Sequence, residues 1–84
     1  MKITYYTREN CQLCDKGEIE LALALDYFED IMLEFIDIDQ SDELQQKYML
    51  EVPVVAHDEK IIQSGRLDFV TLFEYLEQHI ARKE

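Results

Sequence analysis

The sequence predicts an α/β fold: a mixed four-stranded sheet in the order β-α-β-α-β-β-α, with helices on both faces. Three observations predict it. Two strand-like segments, residues 2–7 and 33–39, flank a long helical stretch, the pattern of a parallel β-α-β unit with a right-handed crossover. Two further strand-like segments, 52–57 and 60–63, are separated only by Asp58-Glu59, the spacing of a hairpin. The strands lack strict apolar/polar alternation, as expected of a sheet covered on both sides.

Residues 2–7 are rich in β-branched and aromatic side chains and form the first strand. Arg8-Glu9-Asn10 breaks that pattern, and a helix is expected over about 11–28. Its buried stripe is expected to be Cys14, the aliphatic stem of Glu18, Leu21, Ala22, Leu25 and Phe28. Gly17 lies inside this helix at a cost of about 1 kcal/mol relative to alanine, which a close backbone contact would explain. Residues 33–39 form the second strand. Ser41 suits an N-cap, and Asp42 and Glu43 in the following turn favour the helix dipole of a short helix ending near residue 48 or 49. Ser64-Gly65 closes the hairpin. The last helix is expected from residue 66 or 67 to about Ala81, with Phe69, Leu72, Phe73, Leu76 and Ile80 on one face.

The length of 84 residues allows one domain, spanning 1–84. With 48% hydrophobic and 32% charged residues, the chain has a globular rather than a disordered composition. Nineteen acidic against 8 basic residues give a net charge of −11. Such a surface repels phosphate backbones and anionic membranes, so neither nucleic acid nor membrane is an expected partner. It suits a solvated surface or a basic partner. No apolar run approaches membrane-spanning length. Met1-Lys2 leads directly into a segment too short and polar for a signal sequence, and the expected location is cytoplasmic.

In that reducing compartment, two cysteines three positions apart are not a structural staple. Their bridge would close a tiny loop and remove little unfolded-state entropy. Cys11-Gln12-Leu13-Cys14 follows the first strand and opens the first helix. A sulfur there meets unpaired backbone N–H groups and the positive end of the helix dipole, which stabilise a thiolate. Cys11 is therefore expected to be the exposed nucleophile. Cys14, one turn in, is expected to be buried and to resolve a mixed disulfide. Arg8 and Lys16 add positive potential, opposed by Glu9, Asp15 and Glu18. A zinc site would need more ligands; only His57 and His79 remain, without ligand spacing, so no metal is expected. Covalent haem would need a histidine where Asp15 stands.

Pro53, within Glu51-Val52-Pro53-Val54-Val55, sits where a strand begins. By itself it reads as an ordinary trans proline, since only about 5–6% of X–Pro bonds are cis. Three pieces together resemble the glutaredoxin branch of the thioredoxin superfamily over nearly the whole chain. They are Tyr5-Tyr6-Thr7 before Cys11-Gln12-Leu13-Cys14, the Val52-Pro53-Val54-Val55 stretch, and Ser64-Gly65-Arg66-Leu67-Asp68. The short bacterial glutaredoxin-like proteins are the most similar. The resemblance implies a thioredoxin/glutaredoxin-like fold and a cis Pro53 packed beside Cys11. It also implies a Val52 backbone left open to an incoming thiol peptide. Gly65 and Asp68 would form a glutathione-holding turn and helix start.

The chain departs from that family at Gln12-Leu13, where glutaredoxins typically carry Pro-Tyr, at Arg8 in place of a lysine, and at Ser64-Gly65 in place of Gly-Gly. Tyr5 stands where thioredoxins proper place a buried carboxylate. Tyr6 is a candidate for shaping a substrate groove or for the core, and Arg66 for meeting a substrate carboxylate. Asp37 and Asp39 read as solvated strand-end residues, and His57 and His79 as surface residues. The expected function is thiol–disulfide exchange on protein or glutathione mixed disulfides. It needs no metal or organic cofactor; glutathione would be a co-substrate, and a disulfide reductase a further partner. Two alternatives stand beside it: an iron–sulfur cluster-binding module and a non-catalytic interaction domain that keeps the fold.

Overall fold

The computed structural model describes residues 1–80. The elements are β1 (Lys2–Thr7), α1 (Gln12–Leu25), β2 (Met32–Asp37), a single 3-10 turn (Ile38–Gln40), α2 (Asp42–Tyr48), β3 (Val54–His57), β4 (Lys60–Ser64) and α3 (Phe69–His79). They form a four-stranded sheet in the order β2-β1-β3-β4. β1 pairs with β2 in parallel, Tyr5 opposite Phe35, and with β3 antiparallel, Tyr5 opposite Val55. β3 and β4 form the hairpin. Asp58 turns it with a left-handed φ of 55°, a conformation that aspartate tolerates better than most residues. This is the mixed sheet with three helices that the sequence predicts.

The two-residue period of β1 and β3 divides the core into two layers. Ile3, Tyr5 and Val55 point to one face, under Leu21, Ala24 and Phe28 from the α1 side and Leu72 and Leu76 of α3. Val54 and Tyr6 point to the other face, against Ile38, Tyr48 and Leu44. The layers are unequal because α2 is only seven residues long.

Several boundaries differ from the sequence expectation. α1 ends at Leu25, not near residue 28. The Tyr27 and Phe28 N–H groups bond three residues back, to Ala24 and Leu25, which tightens the chain out of the α form while leaving Phe28 buried. The buried stripe of α1 is Cys14, Gly17, Leu21 and Ala24; Glu18 and Ala22 are exposed. β2 stops at Asp37, because the Asp37 carboxylate accepts the Asp39 N–H at 2.9 Å and curls the chain into the 3-10 turn. β3 begins at Val54, after the proline. α3 begins at Phe69, capped by Asp68, while Leu67 is buried in the preceding loop. The predicted end of that helix, Ala81, lies outside the described residues.

Gly17 meets the contact that its place in a helix calls for. A Cβ there would lie 2.7 Å from Leu67 Cδ1, 2.8 Å from the Tyr5 hydroxyl and 3.1 Å from Pro53 Cγ. Alanine at 17 would gain about 1 kcal/mol of helix propensity. Overpacking of this kind costs about 1–3 kcal/mol, and the Tyr5 hydroxyl cannot step aside without losing its hydrogen bond. Gly17→Ala is therefore expected to lower stability by about 1 kcal/mol net, read as a lower urea midpoint at unchanged m-value.

Candidate active site

Cys11 is the N-cap of α1, with extended backbone (φ −123°, ψ 102°). Asn10, just before it, takes a left-handed φ of 56°, which turns the chain sharply from β1 into the helix. Cys11 and Cys14 are joined in a disulfide, with Cα atoms 5.2 Å apart. Cys11 is half-exposed, whereas Cys14 is 1% exposed. The Cys14 N–H donates to Cys11 Sγ at 3.1 Å. A Cys11 thiolate formed on reduction has this donor and the α1 dipole to stabilise it.

Tyr5 lies beneath the pair, and its hydroxyl donates to the Cys14 carbonyl at 2.6 Å. Burial pushes the Tyr5 hydroxyl well above the ordinary tyrosine range, and the nearby Glu18 and Asp15 charges add to the shift. Tyr5 therefore stays neutral at any physiological pH: it anchors the first turn of α1 and is no proton acceptor for Cys14. Arg8 is drawn off to Asp39, at 2.9 Å, where Gln45 also donates to the same carboxylate oxygen. Asp37 and Asp39 thus hold loops, as cap and ion-pair partner.

The Val52–Pro53 peptide is cis, and Pro53 is buried against the Gly17 turn of α1. The Val52 N–H donates to the Tyr48 carbonyl at 3.0 Å, closing the turn after α2. Of the Val52 backbone expected to lie open to a substrate, the N–H is thus engaged within the chain. Gly65 has a left-handed φ of 76°, and its N–H donates to both Glu51 O (3.0 Å) and Pro53 O (2.9 Å). That bond ties the proline loop to the turn before α3.

Asp68 is the N-cap of α3. Its carboxylate accepts the Thr71 N–H at 3.1 Å, the Thr71 hydroxyl at 2.7 Å and a Gln63 amide N–H at 3.0 Å. The Phe69 N–H is taken by Glu20 of α1, at 3.0 Å. The helix start that the family resemblance assigned to glutathione is thus occupied by two of the chain's own carboxylates.

Arg66 is exposed beside Leu13 and Lys16, in a groove of about 310 Å³ floored by Gly17 and Leu67. Tyr6 lies on the other layer, 4.6 Å between ring centroids from Tyr48. His57, expected at the surface, is half-buried at the far end of the sheet, with Nδ1 2.7 Å from the Tyr75 hydroxyl. Among the described residues no cluster of three or more His, Cys, Asp or Glu gathers as a metal site. Sequence reasoning missed the Glu20–Phe69 contact and the groove. The interior glycine was the one local signal of close packing at this point.

The glutaredoxin-like domain (DUF836) family model matches residues 2–77. The chain belongs to that family. A structural-genomics target protein, XcR50 from X. campestris, superposes with a TM-score of 0.77 at 27% identity, covering 93% of this chain and 99% of that one. Thioredoxin 1 from Thermosipho africanus gives a TM-score of 0.57 at 25% identity, with 93% and 97% covered. E. coli glutaredoxin gives 0.58 at 17% identity, with 95% and 98% covered, a likeness of fold. No curated protein matches the chain. No helix of the described residues is long and apolar enough to cross a membrane.

The Asp68 cap carries a pH signature. Hydrogen bonds from Gln63 and Thr71 hold its carboxyl at about 2, below the ordinary 3.8. A depressed carboxyl stabilises the fold above its unfolded value, and that stability is lost as pH falls through the folded value. Wild-type Tm is therefore expected to fall between about pH 4 and pH 2. Asp68→Asn should show a shallower acid limb in the same thermal scans, and Asp68→Ala a Tm several degrees lower at neutral pH.

Proposed function

We propose that this chain is a dithiol–disulfide oxidoreductase that reduces disulfides of protein partners, including mixed disulfides with glutathione. One observation carries the reading. The partly exposed Cys11 and the buried Cys14 close into a disulfide at the N-terminus of α1, where a thiolate is stabilised. Membership of the glutaredoxin-like family supports it.

The steps follow from the geometry. The Cys11 thiolate attacks one substrate sulfur; a Cys11–substrate bond forms, the substrate S–S bond breaks, and one substrate thiolate leaves. Cys14 then attacks Cys11 Sγ. The internal disulfide forms, the mixed disulfide breaks, and the Cys14 proton goes to the departing thiolate. Two electrons pass from the dithiol to the substrate. A thiol such as glutathione, or a disulfide reductase, returns them. Cys11 attacks first because it is the less buried of the two, and Cys14 acts second because it is sealed in the core beneath it. The reading calls on no metal or organic cofactor, and a cytoplasmic, thiol-reducing setting suits it.

Equilibration with glutathione buffers of graded potential, quenched by thiol trapping, tests the proposal. A reversible transition at about −180 to −270 mV is expected. Cys14→Ser should accumulate a Cys11 mixed disulfide released by dithiothreitol, and Cys11→Ser should return exchange to the uncatalysed background. A pair that stays reduced at every potential would overturn the mechanism.

A further inference from the structure

Six basic residues lie among those the structure describes, and four are engaged. Lys2 pairs with Glu34 and Arg8 with Asp39, each at 2.9 Å. Lys47 lies over the Tyr48 ring and Lys60 over the Tyr75 ring, at 5.2 and 5.5 Å. The other two, Lys16 and Arg66, make no ion pair among the described residues, and both stand on the groove beside the dithiol. Among the described residues of this acidic chain, the two cations with neither an ion pair nor an aromatic ring beneath them thus both line the groove that starts at Leu13, between the cysteines. Glu20, the carboxylate in that groove, is committed to the Phe69 N–H instead.

The rest of the groove is apolar. Leu13, between the two cysteines, is 39% exposed, and Ile19 is 62% exposed. Large side chains left this open along one groove favour an apolar partner group. Glutathione carries carboxylates but no apolar side chain. A polypeptide can present both.

We propose that this groove is the recognition subsite for the chain flanking a substrate disulfide. It seats an apolar side chain against Leu13 and Ile19, and a carboxylate side chain between Lys16 and Arg66. The occupant is an acidic–apolar segment of a protein partner. The proposal rests on the oxidoreductase reading and adds its substrate class: a half-cystine flanked by residues such as Leu and Asp. With Lys16 and Arg66 set against Glu20, the groove lining carries more positive than negative side chains in an otherwise acidic chain, so it suits an acidic partner segment better than the rest of the surface does.

The test uses the full chain and short cysteine peptides whose sulfur carries a coloured thionitrobenzoate leaving group. Attack by Cys11 releases the coloured thiol. One peptide flanks the cysteine with Leu and Asp, a second with Leu and Lys, a third with Gly and Asp; the glutathione adduct is the fourth probe. The acidic peptide is expected to react about fivefold faster than the basic one, as two exposed ion pairs allow, and the ratio should shrink in high salt. Lys16→Glu with Arg66→Glu should invert it. Because each ratio is taken within one protein, a general change in Cys11 reactivity cancels. The Gly–Asp peptide should react more slowly than the Leu–Asp peptide. Equal rates for acidic and basic peptides would overturn the groove assignment while leaving the dithiol mechanism standing. So would a glutathione adduct that matches the Leu–Asp peptide in rate and in its response to charge reversal. No release from any peptide, with no internal disulfide in the redox titration, would remove both.

Discussion

The close approach at Gly17 is the constraint on which the site depends. The absent side chain lets α1 settle against Tyr5 of β1, Pro53 before β3 and Leu67 before α3. Three segments far apart in sequence therefore meet under the first turns of one helix. That contact fixes Cys14 in the core, and with it the position of Cys11 one turn away at the surface. The bond from Tyr5 to the Cys14 carbonyl locks the same turn from below. The Gly65 N–H locks the proline loop to the turn before α3 from the side. Packing and hydrogen bonding thus converge on the few atoms around the Cys11–Cys14 disulfide.

Two helix N-termini lie at this end of the molecule, and they are treated differently. At α3 the chain supplies its own anions: Asp68 caps from within and Glu20 reaches across from α1. At α1 no carboxylate cap is present, and the N-cap is a sulfur. A helix start with unpaired N–H groups favours whichever negative group reaches it. Filling one with carboxylates and the other with Cys11 leaves the dithiol as the place where negative charge gains from a helix dipole. Lys16 and Arg66 line the groove together with Glu20, whose carboxylate accepts the Phe69 N–H.

Much of this was legible in the sequence, and the reason can be given residue by residue. The Cys11–Cys14 spacing at a strand-to-helix junction defines the disulfide-forming pair because both the dipole and the one-turn separation are local properties. The hairpin at Asp58-Glu59 and the α3 stripe from Phe69 to Ile80 follow from local periodicity. Element ends were less legible. Where α1 stops depends on three-residue-back bonds at Tyr27 and Phe28, and where β2 stops depends on one Asp37 side chain. The stripe of α1 was misplaced at Glu18 and Ala22 because a glycine counts for nothing in a hydrophobic pattern, although Gly17 is buried where a Cβ would crowd Leu67, Tyr5 and Pro53.

Sequence by itself determined the fold class and the disulfide-forming pair with its unequal burial, since each rests on interactions within a few residues. Only the tertiary structure decided what surrounds the sulfurs. Glu20 and Phe69 are 49 positions apart, and Arg8 and Asp39 are 31 apart. No periodicity or spacing encodes such pairs. They form because the sheet order β2-β1-β3-β4 and the Gly17 contact bring their segments together, and burial and hydrogen-bond satisfaction then select the partners.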